Sequence, residues 1–474
     1  MALWCENGMR NNDNALFTNT RSVMLQLKKH TKMGTLYWKK QKMKNSILLL
    51  AFGLLFNLAF AQQKDDKQLF AEFDKMLSAQ YKTNETGATA LVARNGRIVY
   101  RKAFGMANLE LNIQMQVDNV FRIGSITKQF TAVAILQLME QGKLNLQDSI
   151  NKFFPDYPTH GHKITIEHLL THTSGIQSYT GIKDFEKKMT LDLRPTEMID
   201  FFKNEPMEFA PGTKWNYNNS GYFLLGYIIE KVSGKTYPQY IEENFFKPLG
   251  TGFINAPYLN MNQPYSAGSI QSTVEDLFKW HQAVHGYKLV KKQSLDKAFT
   301  KYKLTDGKET EYGYGWSLGD IQGSPTIGHN GGIPGFLTQS VYLPKEDVFV
   351  AVFSNCGCNP PFEIADKMAT LAIGKTIAMP KWGIIGTSTP NNWDADQPMT
   401  YDAASKTWKI TLNLKAGEFK FRANGTWNIN LGDTNGDGAL KRDGDNLKLA
   451  ANGNYTVSLM MNDAGHYTYT LIKN

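Results

Sequence analysis

The chain has 474 residues, of which 42% are hydrophobic and 20% are charged, so it is too apolar for a disordered protein and long enough for two or three packed domains. Its net charge of +9 would suit a protein that binds nucleic acid, but residues 1–61 hold nine Lys and Arg against two acidic residues and so carry +7 of that charge. The other 413 residues carry only +2, and no nucleic-acid partner is predicted.

The first element is an apolar stretch, Ile47–Ala61. It is 15 residues long, which is shorter than the roughly 20 residues that a bilayer-spanning helix needs. A basic residue, Lys44, precedes it, and Ala59-Phe60-Ala61 ends it with the small-x-small pattern of a signal-peptide cleavage site. We therefore predict a signal peptide over residues 43–61 and an exported protein whose mature chain begins at Gln62. An uncleaved anchor is the alternative.

A complete signal peptide leaves no role for the residues upstream of it. We expect residues 1–42 to be a misassigned N-terminal extension and Met43 to be the true start. Two cysteines remain beyond the signal, Cys356 and Cys358, and neither follows the apolar stretch directly, so a lipid anchor is not indicated. Since a disulfide between cysteines two residues apart is strained, free or loosely paired thiols are favoured.

Secondary-structure signals follow in chain order from residue 67. Amphipathic spacing predicts a helix over residues 67–81. Two predicted strands, Ala88–Arg94 and Arg97–Phe104, are joined by Asn95-Gly96, a dipeptide that favours the positive φ angles of a tight hairpin. A mostly helical middle then covers roughly residues 120–255.

Two more predicted strands, Gln339–Leu343 and Val348–Asn355, flank a turn at residues 344–347, and a last helix covers about 362–375. Strands at both ends of this segment, with helices between them, indicate an α+β fold. We predict an antiparallel sheet flanked by helices, with an inserted helical subdomain, in a domain of residues 62–378.

The remaining residues, 379–474, show a different pattern. Apolar and polar residues alternate in several runs, and turn residues such as those at 462–465 separate the runs. Alternation of period two without a helical stretch predicts a separate all-β sandwich domain. The alternating runs are Trp408 to Leu414, Phe419 to Phe421, Tyr455 to Met461 and Tyr467 to Leu471.

A Ser-x-x-Lys sequence, Ser125-Ile-Thr-Lys128, opens a helix rich in apolar residues. Positions three apart share one helix face, and Ser125 at the N-terminus offers a free backbone N–H. A buried Lys would have a lowered pKa and could accept the serine proton. The same spacing occurs at residues 149–152, which lead into a helix-stopping Pro, and at 294–297, in polar surroundings. Ser125 is therefore the candidate nucleophile.

Two further polar segments could complete a catalytic site. Tyr217 and Asn219 lie just before an apolar helix, where a phenol near a lysine can relay a proton to a leaving group and an amide can bind a substrate carbonyl. His329, Gly331 and Gly332 lie in a Gly-rich segment ahead of a strand pair, where a backbone N–H can complete an oxyanion hole. For either segment alone, the alternatives are ordinary aromatic packing for the tyrosine and a solvated loop for the histidine.

Ser-x-x-Lys, Tyr-x-Asn and His-x-Gly occur at residues 125–128, 217–219 and 329–331, in that order. Together they resemble the serine penicillin-recognising superfamily of β-lactamases and penicillin-binding proteins, in its class C-like branch. Thr-His-Thr-Ser-Gly at 171–175 and Tyr-Gly-Tyr-Gly-Trp at 312–316 also match. The resemblance implies a β-lactamase-like fold and a serine hydrolase.

The same resemblance implies an acyl-enzyme mechanism with a role for each matched residue. Ser125 would be acylated with Lys128 as its general base, and Tyr217 would pass the proton to the leaving group. No cofactor and no metal ion are predicted. The remaining residues implied are Asn219, His329 and Gly331 for binding the substrate, and the N–H groups of Ser125 and Gly332 for the oxyanion hole.

The third element departs from the Lys-Thr/Ser-Gly of strong β-lactamases, because this chain has His-Asn-Gly at 329–331. A histidine without the neighbouring hydroxyl would capture a β-lactam carboxylate less well. An exported general acyl hydrolase that cleaves a peptidoglycan-type D-amino-acid peptide, a β-lactam or a small ester is therefore favoured over a genuine cephalosporinase. The alternative from another class of function is a glycan- or peptidoglycan-binding envelope protein whose hydrolase domain is idle.

Residues 383–396 and 417–427 resemble the C-terminal modules of SusE/SusF outer-membrane starch-binding proteins. This implies a Gram-negative envelope, with the protein periplasmic, outer-membrane-associated or secreted. It also implies glycan contact through Trp393 and Trp427, for which core packing is the alternative. Asp433 begins a run like a calcium loop that lacks Glu at its twelfth position, so a polar turn is predicted.

Overall fold

The computed structural model describes residues 66–189, 191–251, 264–377, 379–425, 427, 429–442, 444–461 and 467–474. The expected extension and signal peptide lie outside these residues. Within them, no helix combines the length and the apolar character that crossing a bilayer requires. The chain divides into a unit of residues 1–72, of which 66–72 are described and helical, and a unit of residues 73–474 that contains the sheets.

The first domain consists of short strands and helices around one long apolar helix. Its strands are β1 Ala88–Arg94, β2 Arg97–Phe104, β3 Met106–Asn108, β4 Ile113–Gln114, β5 Phe121–Arg122, β6 Gln271–Ser272, β7 Ser317–Ile321, β8 Ser324–Ile333, β9 Phe336–Leu343 and β10 Val348–Ser354. Its helices are α1 66–80, α2 Thr127–Glu140, α3 Ile166–Leu170, α4 Phe185–Lys188, α5 Pro195–Phe202, α6 Asn219–Ser233, α7 Tyr237–Ile241, α8 Lys247–Leu249, α9 Tyr265–Gly268, α10 Val274–His285, α11 Lys292–Ala298 and α12 Phe362–Ala372. Single 3₁₀ turns lie at Gly124–Ile126, Ile150–Lys152 and Tyr179–Gly181, and a π-helical turn lies at Glu242–Phe246.

Six of the strands form an antiparallel sheet in the order β2-β1-β10-β9-β8-β7. The β1–β2 hairpin turns at Asn95 and Gly96, whose φ angles of 49° and 69° are the positive values that this dipeptide favours. β1 pairs with β10 along its whole length, starting with Ala88 opposite Ser354. The first and last strands of the domain therefore meet within one sheet, and the helices between them form the expected insertion.

The helical insertion packs around α2. Residues 127–136 of this helix are all buried, which is nearly three turns and is typical of a helix inside a core. The sheet adds Phe349, Ala351 and Phe353 of β10 to the same hydrophobic cluster. The 3₁₀ turn Gly124–Ile126 that leads into α2 contacts β8 and β9. This contact places the serine of the Ser-x-x-Lys sequence beside the end of the sheet.

The second domain is all β, as expected. Its strands are β11 Trp382–Ile385, β12 Gln397–Pro398, β13 Thr400–Asp402, β14 Thr407–Leu414, β15 Gly417–Ala423, β16 Asn430–Gly432, β17 Ala439–Arg442, β18 Leu447–Leu449, β19 Gly453–Met461 and β20 Tyr467–Lys473. They pair in the order β12-β11-β15-β16-β17-β20-β19-β14-β13, with β18 on β15. Only Met399 separates the two end strands, and its N–H donates to the Trp382 carbonyl oxygen at 2.8 Å. The sheet therefore curls almost into a barrel. The expected turn at 462–465 lies outside the described residues.

The Gly-rich segment at 329–332 is a strand and not a loop ahead of a strand pair. It forms the end of β8, with His329 opposite Ser340 and Gly332 opposite Leu337 on β9. Glycine is depleted in strands, so residue propensities alone do not predict a strand over these residues. Backbone pairing with β9 overrides that preference.

The expectation that Cys356 and Cys358 are free or loosely paired thiols is wrong. The structure joins them in a disulfide, with their Cα atoms 5.1 Å apart. Neighbouring side chains hold the loop on both sides: Asn355 Oδ1 accepts the Gly87 N–H at 2.8 Å, and Asn359 Nδ2 donates to the Gln80 carbonyl oxygen at 2.8 Å. A loop fixed in this way brings the two sulfur atoms together.

Candidate active site

Ser125 lies at the entrance to α2. Gly124 has a φ of 52°, in the left-handed region that favours glycine. The chain then makes a 3₁₀ turn over Gly124–Ile126 before α2 begins at Thr127. This turn places Ser125 and Lys128 side by side, with Lys128 Nζ 3.0 Å from Ser125 Oγ.

The amine of Lys128 is fully buried, and it has no carboxylate partner among the described residues. Burial lowers its pKa well below the usual value for lysine. Besides Ser125, it contacts Asn219 Oδ1 at 2.9 Å and the Ala267 carbonyl oxygen at 2.8 Å. A neutral amine has two N–H donors and one lone pair. Donation to these two oxygens therefore leaves the lone pair to accept the Ser125 hydroxyl proton.

The N-terminus of α6 and the residues just before it bring Asn219 and Tyr217 to the same amine. Asn218 caps the helix, because its side chain accepts the Gly221 N–H at 2.7 Å. The cap fixes the direction in which the residues on either side of it point. The Tyr217 ring centroid lies 4.8 Å from Lys128 Nζ. Two distant parts of the chain therefore converge on one amine, as the sequence predicted.

The hydroxyl of Tyr217 is buried and has no hydrogen-bond partner in the described chain. Burial raises the pKa of the phenol, and the neighbouring Ser125 hydroxyl partly offsets this rise without reaching hydrogen-bonding geometry. The phenol is therefore protonated at neutral pH. It lies beside the serine as a donor without an acceptor, and in that state it could give a proton to a leaving group.

The end of β8 lies against the Ser125 turn, backbone to backbone. A Cβ atom on Gly331 would come 2.0 Å from the Ile123 carbonyl oxygen, and one on Gly124 would come 2.9 Å from the Gly332 nitrogen. Such close approach requires glycine. Since Ser125 directly follows Gly124, the N–H groups of Ser125 and Gly332 lie on neighbouring backbones, as the predicted oxyanion hole requires.

Beside this contact, one edge of β8 has no strand partner among the described residues. β7 pairs with β8 only as far as Gly328. Residues 329–333 therefore have a strand partner on one side only, β9, within the described chain. An extended substrate could add to this edge as a further strand.

The side chain of His329 does not reach that edge. It is 2% exposed, with Nδ1 2.5 Å from the Asn330 carbonyl oxygen and Nε2 2.8 Å from the Tyr312 hydroxyl. Burial lowers the pKa of His329 to about 3, so its ring is neutral. A carbonyl can only accept, so Nδ1 carries the hydrogen and Nε2 accepts the Tyr312 O–H. Because both ring nitrogens are engaged, His329 can make its predicted substrate contact only through its backbone groups.

Two side chains in this cluster were not assigned a role from the sequence. Tyr312 holds the His329 ring, and the ring of His172 lies 4.4 Å from the Tyr217 ring. Both belong to sequences noted only as supporting matches, at 171–175 and 312–316, and that match was the available signal. The sequence gives no indication of a backbone acceptor such as the Ala267 carbonyl oxygen, which accepts from Lys128 Nζ.

The other two Ser-x-x-Lys sequences have no comparable arrangement. Lys152 Nζ pairs with Asp148 at 2.7 Å, and Ser294 Oγ donates to Glu140 at 2.5 Å. Lys152 and Ser294 are therefore bonded to acidic residues, and not to the serine or lysine of their own Ser-x-x-Lys sequence. Among the described residues, no group of three or more His, Cys, Asp or Glu side chains could hold a metal ion.

Comparison with known proteins agrees with this geometry. Residues 67–375, more than half of the chain, match the family model described as Beta-lactamase. The chain belongs to the Beta-lactamase family. The family is one of serine hydrolases.

Individual known proteins are similar to this chain over different shares of its length. Penicillin-binding protein 4* of Bacillus subtilis is 30% identical over 305 residues, which is 54% of this chain and 65% of that relative's length. The octameric penicillin-binding protein homologue from Pyrococcus abyssi superposes with a TM-score of 0.59 at 25% identity, over 85% of this chain and 99% of that one. A D-stereospecific amidohydrolase from a Streptomyces species gives a TM-score of 0.53 at 27% identity, over 63% of this chain and 97% of that one.

Proposed function

We propose that this protein cleaves an amide or an ester through an acyl-enzyme on Ser125, with Lys128 as the base. The observation that carries the proposal is the buried Lys128 amine, whose pKa is lowered and which lies 3.0 Å from Ser125 Oγ with no acidic partner in the described chain. A lysine that burial keeps neutral can take the serine proton, whereas an ion-paired lysine cannot.

The reaction follows from the positions of the donors. Lys128 takes the proton of Ser125, whose oxygen then attacks the carbonyl carbon. The N–H groups of Ser125 and Gly332 stabilise the oxyanion, and one such donor typically lowers the barrier by roughly 3–4 kcal/mol. The Tyr217 phenol, whose ring lies 4.8 Å from Lys128 Nζ, passes a proton to the leaving amine or alcohol. Water then attacks the acyl-enzyme, a proton returns to the serine oxygen, and Ser125 is regenerated.

The environment of His329 bears on the substrate class. Its neutral imidazole has both nitrogens engaged, so it offers neither a charge nor a free N–H to a carboxylate. D-amino-acid amides, peptides cleaved away from their carboxyl end and small esters are therefore favoured over β-lactams, which carry a carboxylate near the scissile bond. The similarity to a D-stereospecific amidohydrolase supports the amide.

A substrate panel tests both parts of this proposal. Wild type, Ser125→Ala and the matched control Ser149→Ala are compared with D-amino-acid amides, short-chain esters, nitrocefin and a fluorophosphonate label. Labelling and turnover should disappear in Ser125→Ala and persist in Ser149→Ala, with nitrocefin the poorest substrate. Full labelling of Ser125→Ala would exclude this nucleophile. Nitrocefin turnover faster than that of the amides would contradict only the substrate class.

A second proposal concerns the second domain, which we propose contacts glycan at the cell envelope after export. The rings of Trp393 and Trp427 lie 6.1 Å apart, and Trp427 is 48% exposed. The Arg422 guanidinium lies 4.8 Å from the Trp427 ring and pairs with Asp396 at 2.8 Å, which holds it against the indole. Exposed indole faces can stack on a sugar ring. The resemblance to SusE/SusF modules supports the same ligand class.

Retention on insoluble starch and on peptidoglycan tests this second proposal with the full chain. The wild type should be retained on one of the two, and the double variant Trp393→Ala/Trp427→Ala should elute. Ile472→Ala, which alters an exposed apolar residue (58%) of the same domain, is the control and should be retained. If the wild type binds to neither material, the proposal is wrong. Cell fractionation checks the export that residues 43–61 predict.

A further inference from the structure

The placement of the Tyr217 ring is not explained by the hydroxyl that it carries. This hydroxyl has no hydrogen-bond partner in the described chain, so the surfaces against which the ring packs must fix its direction. Among the aromatic rings around it, His172 is nearest, with centroids 4.4 Å apart. Tyr312 and His329 lie at 6.3 and 6.1 Å.

His172 is also bonded to the backbone next to Tyr217. Its Nδ1 lies 3.1 Å from the Asn218 backbone nitrogen, whose N–H can only donate, so Nδ1 carries no hydrogen. Burial lowers the pKa of His172 well below its usual value, so the ring is neutral. One side chain therefore contacts both the ring of Tyr217 and the peptide group that follows it.

We infer that His172 is a positioning residue that directs the Tyr217 phenol toward the leaving group. The inference rests on the proposed role of Tyr217 as proton donor. The geometry of the turn that carries His172 supports it. His172 has a φ of 60°, which is uncommon for a residue with a β-carbon, and its carbonyl oxygen accepts the Asn216 N–H at 3.0 Å. The backbone on both sides of Tyr217 is thus bonded to His172.

Stability alone does not account for a histidine at this position. Its Nε2 is buried without a partner in the described chain, and an unpaired buried donor is unfavourable. Phenylalanine would fill the same space without that donor, but it could not accept the Asn218 N–H. Asparagine would accept that N–H and tolerate the left-handed backbone, but it has no ring to pack against Tyr217. Histidine supplies the acceptor and the ring together.

The test is a double-mutant cycle in the full-length protein, with a D-amino-acid amide as substrate. His172→Asn is the principal variant because asparagine suits the backbone, and His172→Phe is its counterpart that keeps a ring. Each should lower kcat about 10- to 100-fold, as expected when a catalytic group is displaced by about 1 Å, with little change in KM. In a Tyr217→Phe background, His172→Asn should cause almost no further loss. Unchanged kcat in both single variants, or losses that add fully to that of Tyr217→Phe, would overturn the inference.

A readout that needs no activity separates this inference from the proposed function. Fluorotyrosine at position 217 should give one narrow ¹⁹F resonance in the wild type and a shifted or broadened one in His172→Asn, at a temperature where both are folded. An unaltered resonance would overturn the positioning role. A wild type that hydrolyses no amide or ester, but whose resonance responds to His172→Asn, would refute the proposed function and leave the positioning of the ring supported.

Discussion

Burial decides which lysine of this chain can act as a base. The Lys128 amine contacts a hydroxyl and two neutral oxygens and has no carboxylate partner in the described chain. Lys152 has the same spacing from a serine, yet it pairs with Asp148 and its side chain is 53% exposed. An ion pair in water keeps an amine protonated, whereas burial among neutral groups favours the free base. Identical sequence spacing therefore gives opposite chemistry.

Replacing Lys128 by arginine tests whether it transfers a proton or only supplies a positive charge. A guanidinium stays protonated in proteins. Lys128→Arg should therefore slow fluorophosphonate labelling of Ser125 by roughly 10²–10⁴-fold, as much as Lys128→Ala does. Lys152→Ala is the matched control and should label at the wild-type rate. An arginine variant that labels as fast as the wild type would show that charge is sufficient.

The helices and strands differ in how far the sequence predicted them. β1 and β2 have the predicted bounds, because their hairpin is local and its Asn-Gly turn is distinctive. The strand at the end of β8 was missed, since it depends on pairing between His329 and Ser340, and the pattern of a single segment does not show such a pairing. The inward turn of the His329 ring was missed for the same reason, because it depends on Tyr312. Motif order predicted which residues meet but not which way their side chains face.

The contact between β8 and the turn before α2 can be tested at Gly331. A Cβ atom there would lie 2.0 Å from the Ile123 carbonyl oxygen, so Gly331→Ala should push the strand away from the serine turn. Displacing the Gly332 N–H should lower kcat by about 10²–10³, as loss of an oxyanion donor does. Gly357→Ala is the matched control, because a Cβ atom at Gly357 meets no atom within 4 Å. Full activity in Gly331→Ala would show that this contact does not position the donor.

The molecule as a whole buries several histidines in neutral form. Two of them, His172 and His329, lie around Lys128, and two more, His281 and His285, lie one turn apart on α10 with ring centroids 4.4 Å apart. His281 packs between Phe349 and Tyr342, at 4.5 and 4.3 Å. Hydropathy patterns do not predict such residues, because a histidine fits either a core or a surface position. Their burial therefore became evident only from the tertiary structure.

These histidines should make the fold sensitive to acid. Burial lowers the pKa of all four below the ordinary value of 6.5, to about 4 for His285 and about 3 for His329. Below pH 6.5 these histidines therefore become protonated in the unfolded chain while they stay neutral in the folded chain. Each histidine then removes up to about 1.4 kcal/mol of stability per pH unit, until the pH reaches its folded pKa.

The free energy of unfolding, measured with urea, should be nearly constant from pH 8 to 7 and fall steeply from pH 6.5 to 4.5. The variant His281→Phe/His285→Phe should show a shallower fall. An equal slope in the wild type and the double variant would show that this pair is not the source of the acid sensitivity.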